Sequence, residues 1–78
     1  MNLQLLIDAY LSEIRRVNGD EYADLVELSY SRGWFYLKTP WRLGSQSPWR
    51  SDNHSKPLRR SKLAVMIETL KKRPTKGD

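Results

Sequence analysis

Leu25-Val26-Glu27-Leu28-Ser29-Tyr30-Ser31-Arg32-Gly33-Trp34-Phe35-Tyr36-Leu37-Lys38-Thr39 is the stretch on which the fold turns. Residues 25–30 and 34–39 are rich in branched and aromatic side chains, which fit a pleated, half-buried surface. Ser31-Arg32-Gly33 lies between them and supplies a glycine where a tight turn needs one. The pattern predicts a β-hairpin. If Ser31 pairs with Trp34, then Val26, Leu28, Tyr30, Phe35 and Leu37 share one face. Glu27, Ser29, Trp34, Tyr36 and Lys38 then share the other, with Glu27 opposite Lys38. A three-residue turn with Gly33 in a bulge would pair Tyr30 with Trp34 and mix the faces. The first register is preferred, because a domain this small can hardly bury both sides of its sheet.

Before the hairpin, Leu3, Leu6, Ile7, Tyr10, Ile14 and Val17 recur at three- and four-residue intervals and form one helical stripe. Gln4, Asp8, Ser12, Arg15 and Arg16 take the other side. With Asn2 as N-cap and Asn18-Gly19 as stop, the spacing predicts a helix over 2–17. Leu5 points away from the stripe. After the hairpin, Pro57 suits the first turn of a second helix that carries Leu63, Met66, Ile67 and Leu70 at core spacing until Pro74 ends it. Lys71, Lys72 and Arg73 fall in its last turn, where cations complement the helix dipole.

The predicted fold class is therefore α+β. It is a small two-layer domain of helix, β-hairpin, long loop and helix, with both helices on one face of the sheet. One domain spans residues 1–73, and residues 74–78 are expected to be a flexible basic tail.

Residues 40–56 lack periodicity but contain a short repeat. Pro40-Trp41-Arg42-Leu43-Gly44-Ser45-Gln46-Ser47 is followed at once by Pro48-Trp49-Arg50-Ser51-Asp52-Asn53-His54-Ser55. A loop this long in a compact domain is commonly functional or disordered. It leaves room for a brief third strand near Trp41–Leu43.

With 78 residues, the chain buries only about 60 to 65% of the surface its unfolded form exposes. Stability of a few kcal/mol is expected. There is no cysteine and one histidine, His54, so neither disulfides nor a common metal-ligand pattern reinforce it. No run approaches the roughly 20 apolar residues of a membrane span, and Asp8 falls too early in Leu3–Leu11 for a signal-peptide core. A cytoplasmic location is expected, and Asn53-His54-Ser55 then matches a glycosylation acceptor only by chance.

The net charge of +5 is unevenly distributed. Residues 1–31 hold Arg15 and Arg16 against six carboxylates, net −4. Residues 32–55 hold four cations and Asp52, net +3, and residues 56–78 hold eight cations, Glu68 and Asp78, net +6. Such a field attracts phosphate backbones, acidic protein surfaces or anionic lipid.

Catalytic chemistry finds little support. Ser51, Asp52, His54 and Ser55 are neighbours on a loop, whereas a triad needs side chains oriented by rigid elements. Asp20, Glu21 and Asp24, between helix and hairpin, suit caps and turns better than acid–base work. The expectation is a protein that is not an enzyme, has no cofactor and carries no metal site.

The basic and aromatic residues suggest binding instead. Tryptophan offers a stacking surface, and arginine a planar cation for phosphate or bases. Lys56, Arg59, Arg60 and Lys62 open the second helix, where cations oppose the dipole and where helix amides can receive phosphate. The leading expectation is noncatalytic binding of DNA or RNA through Trp41, Arg42, Trp49, Arg50, Lys56, Arg59, Arg60 and Lys62. The bland alternative folds Trp41 and Trp49 back as cover for the core. A further alternative is a small adaptor or inhibitor, phage- or mobile-element-encoded, that docks an acidic protein surface through Trp34, Tyr36, Trp41 and Trp49. Self-association into a homodimer through Leu5 and an open sheet edge is a third.

Ser61-Lys62-Leu63-Ala64 opens the last helix, and the order of elements is helix, hairpin, room for a third strand, helix. In both respects the chain resembles the double-stranded RNA-binding domain over about residues 3–72. The likeness is one of topology, which many small α+β folds share. The chain departs from that family in a loop rich in Trp rather than Gly, and in Val65, Met66 and Ile67 where an alanine-rich face is expected.

Overall fold

The computed structural model describes residues 2–76. Arg32 and Gly33 both take left-handed dihedrals, φ 52° and 85°. Positive φ at both central positions makes the two-residue turn whose twist matches that of the flanking strands. It joins β1 (Glu27–Ser31) to β2 (Trp34–Lys38). The register is Ser31 opposite Trp34, Tyr30 opposite Phe35, Leu28 opposite Leu37 and Glu27 opposite Lys38. This is the expected pairing, and it brings Lys38 Nζ to 3.6 Å from Glu27 Oε2. Burial concentrates on Phe35 and Leu37 because β2 is the central strand; on β1, Leu28 is half-buried and Tyr30 lies edge-on against Phe35, exposed.

The turn yields a direct expectation. Arg32→Asn should stabilise the domain by about 0.5–1 kcal/mol, since asparagine tolerates the left-handed region better. Gly33→Ala should cost about 1 kcal/mol from backbone strain alone, because an added Cβ would meet nothing within 4 Å. Urea midpoints at unchanged m-value measure both.

α1 (Leu3–Asn18) begins where the Gln4 amide donates to Asn2 Oδ1 at 2.8 Å. It ends at Gly19, whose φ of 90° and ψ of 170° lie in a region essentially reserved for glycine. A single helical turn not foreseen in the sequence, α2 (Asp20–Ala23), follows at once. Arg15 organises it, donating through Nη1 to Asp20 and through Nη2 to Asp24, both at 2.8 Å. Two of the three clustered carboxylates are therefore partners of an arginine.

The third strand, β3, is Lys56–Leu58 and not the Trp41–Leu43 segment, and it completes an antiparallel sheet of order β1-β2-β3. Trp41 forms only a lone bridge with Arg50. The start of the last helix moves correspondingly: Pro57 pairs with Tyr36, and α3 runs Arg60–Lys71 with Arg59 as its N-cap residue. Proline restricts the residue before it to extended backbone, and on an edge strand it removes no ladder bond when its nitrogen faces outward. The same fixed φ that suits a helix start thus suits this edge.

α1 and α3 pack against each other and together cover one face of the sheet. The core comprises Leu6, Tyr10 and Ile14 of α1, Leu63, Ile67 and Leu70 of α3, and Ala23, Val26, Phe35 and Leu37. Burial, with Tyr22 nearby as the lesser cause, pushes the Tyr10 phenol up to about 12. Within the predicted tail, the Lys76 amide donates to Arg16 O at 2.9 Å, and Thr75 Oγ1 accepts from Arg16 Nη1 at 3.2 Å. Residues 77 and 78 lie outside the described residues. No helix of the described chain is long and apolar enough to cross a membrane.

Candidate nucleic-acid interface

The Pro-Trp-Arg repeat folds antiparallel on itself. The Trp41 amide donates to Arg50 O at 2.9 Å and the Arg50 amide to Trp41 O at 2.7 Å, with a turn closed by Ser47 N donating to Gly44 O at 3.0 Å. Because the two copies run in opposite directions, the tryptophan of each lies across from the arginine of the other. The Arg42 guanidinium accordingly sits 4.2 Å from the Trp49 ring centroid, within cation–π range. Tyr22 of α2 also meets Trp49, edge-on with centroids 4.8 Å apart.

Tyr22 also hydrogen-bonds Thr39; burial raises its phenol above the ordinary value, against the opposing effect of that bond. Pro40 is buried beside this support. The two tryptophans therefore divide the roles. Trp49 is half-buried and packs, while Trp41 stays 43% exposed beside Leu43 at 82%.

The second basic group straddles β3 and α3. Leu58 pairs with Phe35, so the next residue of β3's path, Arg59, comes level with Trp34 on the sheet face turned away from the helices. Its guanidinium lies 3.8 Å from the Trp34 ring centroid. Lys56 lies opposite Leu37 and is exposed, and Arg60 and Lys62 are exposed in the first turn of α3. Of the residues expected to open a helix, Lys56 thus lies in a strand, Arg59 is the N-cap, and only Arg60 and Lys62 are helical.

The eight expected contact residues fall into two groups, Trp41, Arg42, Trp49 and Arg50 in the loop, and Lys56, Arg59, Arg60 and Lys62 at the strand–helix junction. Trp34, expected as a protein contact, joins the second group through Arg59. Tyr22 was absent from the sequence reading, since only the folded loop shows that a tyrosine 27 positions upstream supports Trp49.

On the same loop, Asp52 Oδ1 accepts from the His54 backbone amide at 3.1 Å, a local turn contact that does not involve the imidazole. Among the described residues, no group of three or more His, Cys, Asp or Glu side chains is placed to hold a metal ion. No family model matches the chain, and no curated protein and no solved structure matches it.

Proposed function

We propose that this chain is a noncatalytic nucleic-acid-binding domain that contacts phosphate through its loop and strand–helix junction. The observation that carries the reading is the state of its cations. Arg15, Arg16, Lys38 and Lys71 each pair with a carboxylate. Arg42, Arg50, Lys56, Arg59 and Lys62, like Arg32, Lys72, Arg73 and Lys76 elsewhere, have no carboxylate partner among the described residues, and what sets the first group apart is that two of its arginines are stacked on tryptophan. Stacking holds a guanidinium in place without consuming its N–H donors, so less freedom is lost when it takes a phosphate oxygen. Negative charge is meanwhile concentrated in residues 1–31, which favours one orientation of an approaching polyanion.

Titration of labelled DNA and RNA oligonucleotides at two or more salt concentrations tests the reading. Binding should weaken as salt rises, and Arg42→Ala or Arg59→Ala should each lower the salt slope by about 1 while weakening different sequences alike. Absence of binding at low salt, or affinity insensitive to salt, refutes it. The adjacent exposed Trp41 and Leu43 favour a second reading, docking onto an acidic protein surface. A protein partner retained on the chain after nuclease treatment, with no oligonucleotide binding, would select it.

A further inference from the structure

The sheet face turned away from the helices carries a central row of Ser29, Tyr36 and Pro57, and next to it Ser31 and Trp34 with Arg59 stacked above. Ser29 and Pro57, the neighbours of Tyr36 across the sheet, are small, and Tyr36 itself is half-buried. Same-face residues on a strand stand about 6.7 Å apart, so Trp34, Tyr36 and Lys38 span roughly 13 Å along β2. One aromatic ring thus lies between two cations, Arg59 at one end and Lys38 at the other. Among the described residues Lys38 has one carboxylate partner, the exposed Glu27 at 3.6 Å, which a phosphate can replace. A hollow of about 510 Å³ is lined by Ser29, Tyr36 and Lys38 of this face and by Leu11, Val26 and Leu28 of the helix side.

We infer that this face holds an unpaired nucleotide, its base stacked on Tyr36 and its flanking phosphates met by Arg59 and Lys38, so that the protein prefers single-stranded over duplex nucleic acid. The inference rests on the nucleic-acid reading above and names its substrate class. Stacking on an aromatic ring requires a base whose π-face is free, which a duplex withholds. α1 and α2 give a duplex no compensating surface, since Asp8, Asp20, Glu21 and Asp24 are exposed there. The cations at the two ends of the row and the half-buried ring between them therefore point to the same occupant.

Anisotropy of a labelled strand of about 12 nucleotides, alone and annealed to its complement, tests this on the full chain at low salt. The single strand should bind at least about tenfold more tightly than the duplex. Tyr36→Leu should remove most of that preference by weakening the single strand alone, and Tyr36→Phe should retain it. Circular dichroism verifies that both variants are folded. Duplex affinity equal to or above that of the single strand, or a folded Tyr36→Leu variant with unchanged single-strand affinity, overturns the inference and leaves the broader reading intact. Failure of both forms to bind overturns both.

Discussion

Phe35→Ala should leave the domain largely unfolded at room temperature. Phe35 is 0% exposed on the middle strand, with Tyr30 opposite on one side and Leu58 on the other. Removing a buried phenylalanine ring costs about 3–5 kcal/mol, the lost transfer free energy plus the cavity that remains. A chain of this size without disulfide or metal seldom exceeds about 3–5 kcal/mol of stability, so the substitution consumes nearly all of it. The ring also holds both edge strands, so the hairpin and β3 should be lost together. Far-ultraviolet circular dichroism and urea titration measure the effect; a destabilisation below about 1 kcal/mol would contradict the assignment of Phe35 as the centre of the core. Val65→Ala is the control, since Val65 is 59% exposed and its truncation should change stability by less than about 0.5 kcal/mol.

Arg16→Met should destabilise by about 2 kcal/mol and release the C-terminal end of α3 first. The last carbonyls of a helix have no intrahelical donor. Here Arg16 of α1 donates through Nη2 to Leu70 O and through Nη1 to Arg73 O, both at 2.8 Å, while its Nε donates to Glu13 at 2.8 Å. A cation at this end also complements the helix dipole. Charge-assisted hydrogen bonds are worth about 1.5–3 kcal/mol each when dry, but with 31% of the side chain exposed water replaces part of that, hence the smaller sum. Arg16→Lys should recover less than half, since an ammonium keeps the charge but not the fork that reaches three elements at once. Amide exchange separates this from a general loss of stability: Lys72, Arg73 and Lys76 should exchange faster while the β2 amides stay protected. Uniform acceleration across the chain would mean that Arg16 supports the whole core and not the cap.

How far the fold could be read in advance depended on the range of the interaction that decided each element. The stripe Leu3, Leu6, Tyr10, Ile14 places α1, and the dense runs around Arg32-Gly33 place the hairpin in its register, because helical periodicity and turn chemistry act between residues a few positions apart. Pro57 was equally compatible with a helix start and a strand edge. Only the presence of β2 alongside, which Leu58 and Lys56 meet at Phe35 and Leu37, chose the strand. Trp41–Leu43 has the composition of a strand, yet its Trp41 pairs with Arg50 of the neighbouring repeat and not with the sheet.

The candidate interface divides in the same way. The partition of charge, acidic through residue 31 and basic beyond, and the alternation of tryptophan with arginine are properties of the sequence alone, as is the presence of a hairpin with one apolar and one mixed face. Which arginine stacks on which tryptophan was decided only by tertiary structure: Arg42 meets Trp49 because the repeat doubles back, and Arg59 meets Trp34 because β3 joins the sheet one residue earlier. The reach of Arg16 to carbonyls more than fifty positions away belongs there too. Local periodicity is written into neighbouring residues, whereas these contacts exist only after the core has closed and paid the entropy of bringing distant segments together.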